Sequence, residues 1–275
     1  MSKAAKLFKA IRLLVRQPSL LNHVIDTDDN WRRHVDKLHH FAQGLPVVEL
    51  TTITGASKGE VPIFAFLDGG SLPTDHFLLQ QLAAGIEGCR YFEIGTWRGE
   101  SVANVAPHAA HCTTLNLSDE QMREVGMSED YIDLIGFFSN HLPNITHLRG
   151  DTSHFDFAGL NQKYDLIFID GDHHYEMVKN DTQKVFANLL HDRSIVVWHD
   201  YARNPETPRF DVFAGILDGL PPHLHHNLYH AGNTLSAVYS PLKYKTHTLQ
   251  NPVRPAHYFS VGLNITPAMP GKSER

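Results

Sequence analysis

Two short stretches of this 275-residue chain gather acids and imidazoles closely enough to do chemistry: Asp170-Gly171-Asp172-His173-His174 and His199-Asp200. Each follows an apolar run of the length of a buried strand, Tyr164 to Ile169 and Ile195 to Trp198. Carboxylates and histidines at such a place can take a proton from a hydroxyl, hold a divalent metal, or do both. Three more segments put polar residues at the end of an apolar run: Glu93-x-Gly95-x-x-x-Gly99 after Tyr91, Asn116 after Cys112, and Asp151 after Ile145. Four of these five positions hold a carboxylate, a regularity that random surface loops rarely produce. Each also has a plainer use. Asp172 ahead of a helix is a capping residue worth about 1 kcal/mol, Asp170 could be a buried acid bonded to backbone amides, and Trp97 and Arg98 could pack as readily as touch a substrate.

The elements that must position these residues read as alternating strands and helices. A helix opens at Pro73-Thr74-Asp75 and runs to about Gly88. Strands end at Ile94, about Leu117, Leu148, Ile169 and Trp198, with helices expected from Ser101, from a capping box at Ser118-x-x-Gln121, from Ser128 to His141, and along the stripe Tyr175, Val178, Val185, Leu189. Such alternation implies right-handed βαβ units and a doubly wound, mostly parallel sheet, here of seven strands. Gly232-Asn233 between Leu228–His230 and Leu235–Tyr239 adds an antiparallel C-terminal hairpin. In this α/β class ligands bind beyond the carboxyl ends of the strands, where the chemistry-bearing residues fall. The glycine turn lacks the G-x-G-x-x-G that cradles a pyrophosphate, which disfavours a nicotinamide dehydrogenase and favours a nucleoside ligand without phosphates.

These motifs together resemble the class I S-adenosylmethionine-dependent methyltransferases, within them the sugar and macrolide O-methyltransferase branch (cephalosporin hydroxylase and macrocin O-methyltransferase-like). The resemblance rests on residues 91–101, on Arg149-Gly-Asp-Thr152, and above all on residues 164–176 with Ile195-Val-Val-Trp-His-Asp-Tyr201. It implies S-adenosyl-L-methionine as cofactor, with Glu93, Gly95, Thr96, Gly99 and Ser101 around its amino-acid end, Asp151 and Thr152 beside the adenine, and Asp170 in the same pocket. Asn116 stands where many relatives carry an acid for the ribose hydroxyls, and Asp119 is a substitute. Asp170, His199 and Asp200 match the metal ligands of magnesium-using relatives, except that His199 replaces an oxygen ligand, so Mg²⁺ or another divalent metal stays an open alternative. Asp172, His173 and His199 are the candidate catalytic groups. The expected reaction is methylation of a hydroxyl on a small-molecule or glycan acceptor. An amine- or phenol-directed enzyme, or a non-catalytic cofactor-binding relative, are the competing readings.

Composition sets the outer bounds. A 42% hydrophobic, 20% charged chain can bury a substantial core, and a net charge of -6 argues against nucleic acid as partner. Cys89 and Cys112 are expected to be free thiols, which with no membrane span or secretion signal suggests a cytoplasmic protein. Residues 1–17 form an amphipathic basic helix, read either as a helix packed on the domain or on a second subunit, or as a peripheral anchor on the inner membrane surface. A homo-oligomer is expected. The implied organisation is an extension of helix and hairpin (1–72), a methyltransferase domain (73–240) and a tail (241–275), with residues 45–70 forming a hairpin outside the main sheet.

Overall fold

Apolar runs punctuated by glycine and acidic turns become the strands of one sheet. The structure, a computed structural model, describes residues 2–21 and 27–268. Its helices are α1 (Lys3–Arg16), α2 (Asp28–His39), α3 (Leu50–Thr54), α4 (Pro73–Ala84), α5 (Glu100–Val105), α6 (Asp119–Glu124), α7 (Glu129–Ile132), α8 (Tyr175–Asn188) and α9 (Phe210–Gly219). Its strands are β1 (Val47–Val48), β2 (Arg90–Ile94), β3 (His111–Asn116), β4 (Ile145–Arg149), β5 (Tyr164–Ile169), β6 (Leu190–Trp198), β7 (Ala202–Asn204), β8 (Thr207–Pro208), β9 (Leu228–Ala231) and β10 (Ala237–Tyr239). The main sheet has eight strands in the order β1-β9-β10-β6-β5-β2-β3-β4. Strands β4, β3, β2, β5 and β6 run parallel, and β10 is antiparallel to both β6 and β9. This is the doubly wound, mostly parallel sheet with an antiparallel hairpin that the motifs imply.

Side chains alternate across the central strands, so each face of the sheet meets a different helical layer. Phe92, Ile94, Ile167, Ile169, Val196 and Trp198 pack with α8 and α9 through Val178, Val185, Phe213 and Ile216. Tyr91, Leu166, Phe168 and Val197 pack with α4 and α5 through Leu78, Leu82, Val102 and Val105. By the same alternation Glu93 lies on the α4–α5 side with Tyr91, whose hydroxyl donates to it at 2.5 Å.

The structure departs from the sequence reading in three places. The eighth strand is β1, paired in parallel with β9 and bridged to His247, so residues 45–70 are not a hairpin outside the sheet. A two-residue strand is too short to show a period, and α3 follows it at once. Residues 61–70 carry no strand; they lie across α5, where Ala65 donates to Glu100 at 2.8 Å and Asn104 donates to the Ile63 carbonyl at 2.8 Å. The helix expected from Ser128 to His141 stops after α7, because Gly136 takes a positive φ of 73° and turns replace the helix. The helix break read at Asp26–Asp29 falls partly outside the described residues, and Thr27 is the N-cap of α2.

Candidate active site

The backbone ladder continues one residue past the strands and lines up the site. Gly95 donates to the Leu115 carbonyl, Asp170 to that of Ile94, His199 to that of Ile169, and Gly150 to that of Asn116. The ends of β2 to β6 therefore present Gly95, Asn116, Gly150-Asp151, Asp170 and His199-Asp200 side by side. The turn after β2 demands glycine. Gly95 has a φ of 88°, and a Cβ there would sit 2.0 Å from the Asp170 carbonyl oxygen. Only hydrogen lets the two strand ends approach so closely. Gly99, at a φ of 79°, abuts Ser139 in the same way. Trp97 between them also takes a positive φ of 42°, a costly conformation for a bulky residue, and stacks on Tyr131 at 4.0 Å.

The residues expected around a cofactor fall into two groups. Glu93 and Ser101 adjoin each other beneath the turn, with Thr96 buried and its hydroxyl unpartnered. Burial pushes the Glu93 carboxyl up to about 8, against the opposing pull of Tyr91 and Ser101. Asn116 accepts from the Thr96 amide at 3.4 Å, which ties β3 to the glycine turn. Asp151 accepts from the Ser153 amide at 2.8 Å and from His154 at 3.1 Å, and Thr152 stands against the buried Asp181. Burial costs the charged form of Asp151, but the Ser153 amide and the His154 ring outweigh it and hold the carboxyl below its ordinary value. Asp119, the substitute for a ribose acid, is the first residue of α6 behind the Ser118 cap.

The ends of β5 and β6 are built around an imidazole. His199 Nδ1 lies 3.0 Å from Asp170 Oδ1 and 3.5 Å from Asp200 Oδ2, and its Nε2 lies 3.9 Å from Asp75 Oδ2. Burial opposes a charged imidazole here, but the surrounding carboxylates, Asp170 foremost, outweigh it and hold the His199 pKa well above its ordinary value. Its Nε2 is buried without a hydrogen-bond partner. Asp200 takes a φ of 54° and faces His173, whose Nδ1 is 3.5 Å from its Oδ2. Together with Asp172 these residues line one small recess. The side chain of Asp172 is spent locally: Oδ1 accepts the His174 amide at 2.7 Å and the His174 ring at 2.6 Å, just ahead of α8. Asp172 is therefore not the helix cap expected of it: His174 holds that position, and Asp172 builds the turn two residues ahead of it.

Asp170, His199 and Asp200 each offer a ligand atom, all within 4.8 Å of one another. Two carboxylates and an imidazole fit a divalent cation, with a softer ion such as iron or zinc better matched than magnesium. A proton on His199 Nδ1 competes with such an ion for the same lone pair.

Sequence reasoning missed two residues of this site. Asp75 is fully buried, accepts from Leu72, Leu235 and Ser236, and reaches toward His199; its neighbour His76 is buried with both ring nitrogens unpartnered. Burial raises the Asp75 pKa and lowers that of His76 to about 4. The one signal was Asp75 in the first turn of a helix, which reads as ordinary capping.

Residues 92–201 match a protein-family model described as a methyltransferase domain. No curated protein matches the sequence. Among solved structures, the chain is similar to a methyltransferase from Podospora anserina bound to S-adenosylhomocysteine, at 16% identity and a TM-score of 0.43, over 63% of this chain and 80% of that one. It is also similar to an O-methyltransferase from Bacillus cereus, at 15% identity and a TM-score of 0.43, over 80% and 94% of the two chains. A third likeness is the O-methyltransferase TomG from Streptomyces achromogenes, at 16% identity and a TM-score of 0.41, over 63% and 82%. Likenesses this loose carry no weight in assigning chemistry.

Proposed function

We propose, on the match of residues 92–201 to a methyltransferase-domain model, that the chain transfers a methyl group from S-adenosyl-L-methionine to a hydroxyl of a sugar, glycan or other polyhydroxylated small molecule. The observation that carries the reading is the row of strand ends: a left-handed glycine turn at β2 packed directly against a histidine–carboxylate group at β5 and β6. The cofactor supplies a methyl already activated on a sulfonium. Residues 73–240 would hold it, with Glu93, Gly95, Thr96, Gly99 and Ser101 at its amino-acid end and Asn116, Asp151 and Thr152 toward the nucleoside.

An alcohol attacks only as it loses its proton, so the chain must supply a base. Asp172 is engaged with His174, and His199 already holds its proton, which leaves His173. Asp200 orients the imidazole through Nδ1, as an acid orients the histidine of a hydrolase triad, and leaves Nε2 to take the proton. The acceptor oxygen then forms its bond to the methyl carbon as the carbon–sulfur bond breaks. Asp170, His199 and Asp200 would hold a divalent ion if one is used, and it would lower the acidity barrier of the hydroxyl.

Isothermal titration of the purified chain with S-adenosylmethionine, with and without EDTA, tests the reading. Micromolar binding is expected, and incubation with a panel of sugars and polyols should yield singly methylated product by mass spectrometry. Absence of binding under both conditions overturns the proposal in favour of a non-catalytic relative. Methylation of amines or phenols alone overturns the acceptor class and keeps the donor.

A further inference from the structure

Among the described residues, helix α1 contributes nothing to the buried core or to the site. None of its residues is buried; Leu7, Phe8 and Val15 are 61%, 77% and 76% exposed, and Ile11 49%. Placed at 100° per residue, Leu7, Phe8, Ile11, Leu14 and Val15 share one arc of about 120°. Lys3, Lys6, Lys9, Arg12 and Arg16 are spread over the rest of the circumference, where Leu13 is the one large apolar side chain, and no acid precedes Asp26. The helix therefore holds five positive charges, so the chain's net charge of -6 leaves the remainder at -11.

We propose that α1 is a docking element for an anionic lipid bilayer, lying in the headgroup layer with its apolar arc toward the acyl chains. A strongly two-sided helix with a Phe/Leu face, a Lys/Arg face and low overall hydrophobicity has the make-up of an interfacial helix. It is also too short and too charged to cross, and among the described residues no helix is long and apolar enough to span a membrane. The placement of charge decides between lipid and a second copy of the chain. Lys3 and Arg12 flank the two edges of the apolar arc, so pairing two such helices face to face would press like charges together on both sides. An anionic surface neutralises them instead, while repelling the acidic remainder and so fixing which end of the molecule approaches. This inference stands apart from the methyl-transfer reading.

The test is co-sedimentation of the full chain with phosphatidylcholine vesicles, with and without 30% phosphatidylglycerol. Binding is expected to the anionic vesicles only, and to weaken at least tenfold between about 0.1 and 0.5 M salt. Each basic residue at such a surface is worth about a fivefold change in partition, so Lys6→Glu with Lys9→Glu should weaken binding by at least about twentyfold. Leu7→Ser with Ile11→Ser should weaken it as well, and neither pair should change the melting temperature, since these side chains touch nothing buried. Equal binding to both vesicle types, or none to the anionic ones, overturns the proposal. So does a dimer in light scattering that Leu7→Ser with Ile11→Ser converts to a monomer while wild type stays off vesicles.

Discussion

At the joint between α2 and α9, Asp218 accepts from His34 Nε2 at 2.8 Å, from His39 Nε2 at 2.6 Å and from the Tyr175 hydroxyl at 2.7 Å. At the strand ends, His199 stands among Asp170, Asp200 and Asp75 with its Nε2 unpartnered. Both groups offer three metal-competent ligand atoms within 4.8 Å of one another, so ligand type alone cannot separate them. Their wiring does. In the joint each carboxylate oxygen is used, both imidazoles donate to it, and Trp31 stacks on Tyr175 at 4.5 Å to cover it. The carboxylate's own hydrogen-bond set is finished, which locks the helices that meet on it, although the covering Trp31 keeps its Nε1 buried without a partner among the described residues. In the strand-end group one imidazole faces three acids, a ring nitrogen is left over, and Asp200 holds a left-handed backbone. A titratable ring nitrogen left over beside three acids, with strain at one of them, is what a site retains, whereas the joint's carboxylate is fully spent.

The widest separation between the two groups should show in turnover. His173→Ala removes the base that Asp200 orients, and methyl transfer should fall about 10²- to 10⁴-fold. Cofactor affinity and melting temperature should stay near wild type, because His173 is half exposed and lies against His174 and Asp200 at the surface. Asp218→Asn in the joint should leave turnover of the folded enzyme unchanged. Steady-state kinetics on both variants, with circular dichroism melts, decide it. A loss of turnover from Asp218→Asn would mean that the joint belongs to the site.

Stability should show the reverse. Asp218→Asn breaks a carboxylate that accepts three hydrogen bonds, each worth about 1.5–3 kcal/mol when charged, though part is recovered by the amide. A net loss of about 2–4 kcal/mol, or about 5–10 °C in Tm, is expected. Tyr175→Phe removes one of the three and should cost about 1 kcal/mol. If Asp200→Asn destabilises as much as Asp218→Asn, the strand-end group is a lock as well and the contrast fails.

The comparison also explains what could be read from the sequence. The strand-end group was legible because each member follows its own apolar run, so local pattern placed Asp170 and His199-Asp200 at one edge of a sheet. The mostly parallel sheet followed from the same alternation, and the C-terminal hairpin from Gly232-Asn233 between two apolar runs. The joint was not legible: His34 and Asp218 are 184 positions apart, on helices whose packing no local pattern specifies. Asp75 failed for the same reason, since it meets Ser236 and His199 only after α4 docks on the sheet. Strand β1 and the segment 61–70 failed differently; two residues cannot show a period, and the segment is held by Glu100 and Asn104 rather than by any pairing of its own.

The proposed cofactor pocket around Glu93 sharpens the contrast through pH. Burial holds Glu93 neutral up to about 8, and an ammonium group bound beside it would favour the ionised form. Below about 8 the carboxyl must give up its proton on binding, so S-adenosylmethionine affinity should rise with pH, by up to about tenfold per unit, and level off above that value. Titrations from pH 6.5 to 9, in buffers of differing ionisation enthalpy, should detect the released proton, and Glu93→Gln should flatten the profile. A profile with no slope would place the amino group elsewhere.

The smallest effect belongs to the joint in acid. Burial alone would raise the Asp218 pKa, but the Tyr175, His34 and His39 hydrogen bonds outweigh it and hold the carboxyl below its ordinary 3.8. A carboxyl depressed on folding adds stability that is fully present above its unfolded value and is lost as pH falls through its folded value. The difference in melting temperature between wild type and Asp218→Asn should therefore stay constant from pH 7 to about 5 and shrink only below about 4. The residual shift amounts to a fraction of the full Asp218→Asn penalty, because most of that penalty is hydrogen bonding rather than charge. Shrinkage already between pH 7 and 5 would mean that the stability of the joint lies in groups other than the Asp218 carboxyl.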